Sequence, residues 1–363
     1  MSVSPLFTPA AAEGAELEAM TVGRTDPLDT LTARIRSSAR DGSRPHTLLV
    51  APRGAGKTHT LRLALYRALS DASTAHRVLP VMIAEDSLAI GSYLDLLVEM
   101  ARAIGPDITD KARALRRAQD PVGIEALVIG AAGARMILLA IENLDRVFAA
   151  IGTKGQGSLR AWVETSTAIT VLGTSPALFP GVSSREYPWY GSFIIETLPE
   201  LSADNAAALL RGAARRRGKA ELAEFVGSHE GRARVAAVHQ IIGGRPRLWH
   251  LLAETSDVAG LEAVSPAVEA LLDRLAPLYQ QQLWQLPASA QRLVVELARG
   301  QGARSVSDLA DAVGVSNQSA STALGRLAGE RWVTSSKTDG DRRTSWYDLA
   351  DPLLRRVLQY RGG

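Results

Sequence analysis

The 363-residue chain contains no cysteine. Disulfide staples and thiolate metal sites are therefore excluded, and the composition fits a reducing, cytoplasmic setting. A secretory leader is not expected either, because MSVSPLFTPAAAEGAELEAM has no basic segment followed by an apolar one. No run approaches 18 uninterrupted apolar residues, so neither a membrane span nor a membrane partner is expected. Excess charge of one sign is small: 41 Lys and Arg stand against 38 Asp and Glu, a net +3. That balance alone does not argue for nucleic acid, and a DNA surface would need its basic residues clustered on one face. There is no internal repeat, no aromatic platform for RNA bases and no His/Asp/Glu spacing suited to a transition metal.

What is present is globular: 46% hydrophobic and 22% charged residues, in a chain long enough for two or three domains. Residues 1–20 show no periodicity and are expected to be a mobile tail. HTLLVAP (46–52), LPVMIAE (79–85), MILLAIE (136–142), AITVLGTS (168–175) and SFIIETL (192–198) are short apolar runs with sharp ends. Helical patterns such as THTLRLALYRAL, GSYLDLLVEMARAI and GSLRAWVETST lie between them. This alternation predicts an α/β domain over 21–199, a mainly parallel sheet with helices on both faces. After Pro199 only helical spacing continues, with Ser202 as an N-cap, predicting an all-α domain over 200–286. The run RGAARRRGKA (211–220) reads as a solvated helix end, and none of the six histidines shows a partner in the sequence.

APRGAGKT (51–58) directly follows the first apolar strand and precedes a helix. It matches the phosphate-loop pattern G-x-x-x-x-G-K-[ST] except that Ala51 stands at the first glycine. Gly54 and Gly56 let backbone N–H groups turn inward around phosphates, assisted by the helix N-terminus. Lys57 would reach the β- and γ-phosphates of ATP, and the Thr58 hydroxyl would hold Mg²⁺. Arg53, Ala55 and His59 complete the candidate nucleotide-binding stretch.

ILLAIENLD (137–145) is the next informative run, a buried strand that stops at carboxylates. It is expected beside the phosphate-loop strand, with Glu142 as the metal-side acid. Asn143 cannot take a proton from water, so general-base chemistry at that position is lost. Asp145 is the nearby carboxylate expected to substitute. Thr174 and Ser175 end another strand with hydroxyls.

Upstream, VGRTDPLDTLTARI (22–35) sets Gly23 and Arg24 just before a helix. Together with the phosphate loop it resembles the VGRE box of Orc/Cdc6-like and STAND-type AAA+ ATPases, where this segment lines the adenine pocket. The resemblance implies further roles. Glu142-Asn143 would stand where the family carries Asp-Glu, Thr174 would be a polar sensor that positions the attacking water, and Arg185 an arginine finger acting on a neighbouring copy. GGRPRLWHLL (243–252) resembles the family's second sensor, with Arg247 ahead of Arg245 as the γ-phosphate contact.

The last region, 287–363, reads as helices SAQRLVVELARG, SVSDLADAVGVS and NQSASTALGRLAGERWV, then two strand-like runs, WVTSS and SWYDL, flanking KTDGDRR. This resembles a MarR-like winged helix with its wing at 332–349 and a final helix, DPLLRRVLQYR, packing back on it. Asn317, Gln318, Ser319, Ser321 and Thr322 are short hydrogen-bonding residues on the helix expected to enter a major groove. Arg326, Lys337, Arg342 and Arg343 would meet phosphates of duplex DNA. The whole chain thus resembles an ATP- and Mg²⁺-binding switch that hydrolyses slowly and binds DNA. A signalling or defence assembly ATPase whose winged helix grips a protein is the alternative. A transcription factor with a vestigial ATPase domain is a third.

Overall fold

The computed structural model describes residues 14–85, 90–330, 332–338 and 341–362; for 337, 338, 341–344, 361 and 362 it describes backbone alone. The chain divides into two compact units, Met1–Ala213 with Gly243–His250, and Ala214–Ile242 with Leu251–Gly363.

In the first unit the five apolar runs become β1 (His46–Val50), β2 (Val78–Ile83), β3 (Met136–Ile141), β4 (Ile169–Ser175) and β5 (Phe193–Thr197). They form one parallel sheet in the order β2-β3-β4-β1-β5. Its helices are α1 (Gly14–Met20), α2 (Thr25–Asp41), α3 (Lys57–Leu69), α4 (Ala72–Ala75), α5 (Tyr93–Ile104), α6 (Pro106–Arg117), α7 (Pro121–Ala132), α8 (Leu144–Ser166), α9 (Pro180–Ser183) and α10 (Ala203–Arg216). β3 shows why its run is continuously apolar. Ile137, Leu139 and Ile141 face one buried core while Met136, Leu138 and Ala140 face the other. A strand covered on both faces has no solvent side on which to place polar residues.

α6 and α7 went unread in the sequence because they lie between stronger signals. Each carries its own start signal: Pro106 and Pro121 sit in the first turn, and the Asp120 carboxylate accepts from the Gly123 N–H at 2.8 Å. α8 bends at Gly152, whose φ of 65° and ψ of 175° leave helical space. Trp189, in the aromatic stretch after β4, is 1% exposed and donates from Nε1 to the Gln156 carbonyl at 3.0 Å. It packs against the rings of His46, Phe148 and Phe193.

Four sequence expectations are corrected here. Residues 14–20 do not belong to a tail: α1 buries Leu17 and Met20 to 2% and 7% exposure. Two apolar side chains in one seven-residue helix were too few to show a period. β3 does not lie beside β1, because β4 runs between them. The break between units falls at 213/214 instead of near 200, and 243–250 returns to the first unit. The return is held by hydrogen bonds: Leu201 N–H to the Gly244 carbonyl at 2.9 Å, and Gly244 N–H to the Glu200 carboxylate at 3.0 Å. Finally, 211–220 is not simply solvated. Lys219 donates to the carbonyls of Glu254 and Ser256, and Arg217 pairs with Glu254 at 3.4 Å.

The second unit takes up the chain with α11 (Ala220–Gly227) and α12 (His229–Ile242), then α13 (Pro246–Thr255), which begins in the first unit, and α14 (Val258–Ala263) and α15 (Ser265–Trp284). The winged helix follows as α16 (Ala288–Arg299), β6 (Arg304–Ser305), α17 (Val306–Val313), α18 (Asn317–Gly329), β7 (Val333–Thr338), β8 (Asp341–Leu349) and α19 (Pro352–Gly362). Its sheet is antiparallel in the order β6-β8-β7, and β6 was not read in the sequence because a two-residue strand has no pattern. Leu293, Leu297, Leu309, Leu324, Leu327 and Leu354 form the centre of its core. No helix among the described residues is long and apolar enough to cross a membrane.

Candidate nucleotide site and nucleic-acid interface

The loop between β1 and α3 is shaped by two glycines. Gly54 and Gly56 have φ of +77° and +89°, the left-handed region that side chains disfavour. A Cβ on Gly54 would lie 3.0 Å from the Cβ of Arg247. The loop is tied into the sheet by the Ala51 N–H, which donates to the Ser175 carbonyl at 3.2 Å. Lys57 opens α3 and is buried, its ammonium donating to the Ala51 and Pro52 carbonyls at 2.6 and 3.1 Å.

Around this loop lies a cleft of about 310 Å³ whose wall is drawn entirely from the first unit. Val22–Arg24 enter from the α1–α2 junction, Gly54 and Gly56–Thr60 from the loop and α3, Asn143 and Thr174 from the ends of β3 and β4, and Pro246-Arg247 from the start of α13. Sequence separation between these groups is large, and the sheet order is what brings them together. The Arg247 N–H donates to the Gly54 carbonyl at 3.2 Å, which joins the start of α13 to the phosphate loop directly. Arg245 turns towards Glu200 instead, at 3.9 Å.

Arg24 adopts φ of 62°, unusual for a residue with a side chain. Its guanidinium donates to the carbonyl of Ala55 and, at 2.9 Å, to that of Pro199. Burial pushes its pKa down to about 10, with the Glu200 carboxylate opposing. Arg24 thus braces the loop as well as lining the cleft. Gly23 beside it has φ of +65°, a conformation that side chains disfavour.

Glu142 is 4% exposed and accepts the Thr58 hydroxyl at 3.1 Å, while Arg62 lies 3.8 Å from its other oxygen. Burial raises its pKa, opposed by the Thr58 hydrogen bond and the Arg62 charge. Asn143 has φ of 51°, and its backbone N–H donates to the Thr174 hydroxyl at 3.1 Å. Thr174 therefore holds the end of β3 in place. Asp145 sits in the first turn of α8 and is not on the cleft wall. Arg53 is exposed at the rim, its pKa lowered by partial burial and then by Arg146. Arg185 stacks over the Tyr190 ring at 5.8 Å, away from the cleft wall.

Two histidines, read as partnerless in the sequence, have partners. The Thr21 hydroxyl has one proton and gives it to the Leu17 carbonyl at 2.7 Å, so His59 Nε2, 2.8 Å away, must donate. His46 Nδ1 accepts the Val171 N–H at 3.1 Å. Burial lowers both pKa values to about 4, with Arg24 adding to the effect at His59. Each imidazole is therefore neutral in the folded chain and more basic when unfolded. The stability they contribute is fully present above pH 6.5 and is lost as the pH falls toward 4. Urea unfolding at pH 7 and pH 5 should differ by about 1–2 kcal/mol for each imidazole. His46→Gln should remove roughly half of that difference; an undiminished difference would show that His46 is not buried neutral.

Sequence reasoning missed Glu85, a carboxylate on the cleft wall at the end of the β2 run. The signal was available, because LPVMIAE stops at an acid just as MILLAIE does. Thr21, Leu201, Leu209 and His250 also line the cleft and carry no local motif.

The cleft suits a nucleoside triphosphate: a glycine cradle, a buried ammonium and a helix N-terminus face it together. Among the described residues no three or more His, Asp or Glu side chains gather into a metal cage. A divalent cation there would depend on Thr58, Glu142 and the phosphates jointly.

In the second unit Ser316 caps α18, its hydroxyl accepting from the Ser319 N–H at 3.2 Å. Asn317, Gln318, Ser319, Ser321 and Thr322 are all exposed on α18, opposite the buried Ala320, Leu324 and Leu327. The Thr322 hydroxyl donates to the Gln318 carbonyl, and Arg326 pairs with Glu330 at 2.9 Å. The side chains of Lys337, Arg342 and Arg343, and the turn at Asp339-Gly340, lie outside the described residues.

Comparison with known proteins agrees with this architecture. The MarR family model matches residues 284–344. No curated protein matches the chain by sequence. Among solved structures, the Aeropyrum pernix ORC2 protein in its ADPNP–ADP complexes is similar over 99% of both chains, with 11% identity and a TM-score of 0.64. The Walker-type ATPase paby2304 of Pyrococcus abyssi is similar over 93% of this chain and 96% of its own, with 16% identity and a TM-score of 0.61. The Aeropyrum pernix ORC1 protein in complex with DNA is similar over 98% and 95%, with 14% identity and a TM-score of 0.54. At such identities the likeness is one of fold. The chain shares the fold of these ORC and Walker-type ATPase structures, and its residues 284–344 match the MarR family.

Proposed function

We propose that this chain, built on an Orc/Cdc6-like AAA+ fold with a MarR-type winged helix, is an ATP-dependent switch that binds duplex DNA. The observation that carries the reading is the single cleft in which the phosphate loop, Gly23-Arg24 and Pro246-Arg247 converge. Gly54, Gly56 and Lys57 would cradle the phosphates. Thr58 and Glu142 would hold Mg²⁺, which would supply charge neutralisation of the phosphates when bound. Arg247 would read the γ-phosphate from the start of α13, and ATP would thereby bias α13 and the segments that follow it. With Asn143 at the end of β3, turnover is slow. Exposed α18 residues and the wing would contact DNA, a reading supported by the family match and by the ORC1 relative's complex with DNA.

One titration tests the switch. The full chain is mixed with a fluorescent duplex at low salt in ATP, ADP or no nucleotide. A coupling of about 1–3 kcal/mol would appear as a 5- to 150-fold change in DNA affinity between nucleotide states. Identical affinity in all three states would remove the switch. No duplex binding in any state would leave the winged helix as a protein-docking module.

A further inference from the structure

Three carboxylates lie near the ends of β2, β3 and α8, and the fold treats each differently. Glu142 is buried, with one oxygen accepting the Thr58 hydroxyl and the other 3.8 Å from Arg62. Asp145 is off the cleft wall. Glu85 is exposed, and among the described residues it is the carboxylate that lines the cleft.

Strand register explains why Glu85 is there. β2 and β3 are parallel neighbours with Ile83 opposite Ile141. Two residues beyond that pair, past the end of each strand, come Glu85 and Asn143. Both face the cleft. The Glu142 N–H donates to the Ile83 carbonyl at 2.9 Å. The end of β2 is thereby fastened to the end of β3. On the Asn143 side chain, Nδ2 is a buried N–H group with no hydrogen-bond partner among the described residues. An amide and a carboxylate are therefore both among the residues that line the cleft.

We infer that Glu85, two residues past β2, supplies the proton-accepting carboxylate that Asn143, two residues past β3, cannot provide. This rests on the reading of the cleft as an ATP site. Asn143 Nδ2 donates a hydrogen bond to an oxygen in the cleft and so helps orient the attacking water. Glu85 accepts that water's proton. The water oxygen bonds to the γ-phosphorus, the bond from the γ-phosphorus to the bridging oxygen breaks, and the electron pair leaves on ADP. The proton passes from Glu85 to solvent, leaving ADP and inorganic phosphate.

The test measures ATP binding and single-turnover hydrolysis separately, on the full-length chain with Mg²⁺, and Lys57→Ala serves as the blank. Glu85→Gln should bind ATP within about twofold of the parent and hydrolyse it at least about 100-fold more slowly, the typical contribution of a general base. Adding Asn143→Glu to Glu85→Gln should restore turnover, which a merely structural role for Glu85 would not allow. Glu85→Gln hydrolysing at the parent rate would overturn the inference. So would loss of turnover in Asp145→Asn while Glu85→Gln still hydrolyses ATP at the parent rate, which would put the base on α8. A parent that binds ATP without hydrolysing it also overturns the inference while leaving the ATP site standing. A parent that fails to bind ATP overturns the ATP site itself.

Discussion

Lys57→Ala should abolish useful ATP binding, raising Kd by roughly 30-fold to several thousand-fold. The figure follows from truncating one partner of a buried charge pair, about 2–5 kcal/mol, at about 1.4 kcal/mol per tenfold. Lys57 is 8% exposed and is held at the root of the loop by the Ala51 and Pro52 carbonyls. Its ammonium is thus positioned before nucleotide arrives, and little ordering cost would be charged against its contact with phosphate. Calorimetric titration with ATP reads the affinity, and circular dichroism confirms that the variant still folds. Gly54→Val supplies an independent route to the same loss, because a side chain at φ of +77° would be strained and would press on Arg247. Unchanged ATP affinity in both variants would remove the loop from the site.

The second large effect concerns salt. If Arg326, Lys337, Arg342 and Arg343 all meet phosphates, log affinity should fall with log salt at a slope of about −4, and the duplex should bind roughly 100-fold more weakly at 200 than at 50 mM. Changing Arg342 and Arg343 together to alanine should flatten that slope by about 2 and weaken all sequences alike. Arg326 is engaged with Glu330, but an exposed pair four residues apart is worth only a few tenths of a kcal/mol and is readily exchanged for a phosphate. Asn317 and Gln318 stand apart from these: exposed at the start of α18, they should affect discrimination between sequences by about 1–3 kcal/mol with little change in slope. Fluorescence anisotropy with two unrelated duplexes at several salt concentrations separates the two behaviours. A salt-independent affinity would mean that no phosphates are contacted.

The same contrast between local and distant information runs through the fold. The winged helix was readable because α16, α17 and α18 each carry an apolar period and Ser305 and Ser316 cap the latter two. α1 was not, since Leu17 and Met20 are buried by partners that the sequence places far away. At the site, Gly54 to Thr58 announce themselves by spacing, whereas Thr21 matters only because α1 leads it to His59.

By itself the sequence determined the five apolar runs, the phosphate loop, the acid at the end of β3 and the helix-turn-helix, all encoded within single stretches of chain. Only the tertiary structure decided that β4 separates β1 from β3, that 243–250 returns to the phosphate loop, and that Glu85 reaches the cleft while Asp145 does not. The reason is physical. A residue's strand or helix follows from its neighbours in sequence, but the wall it faces follows from strand order and register, which depend on how distant segments bury one another.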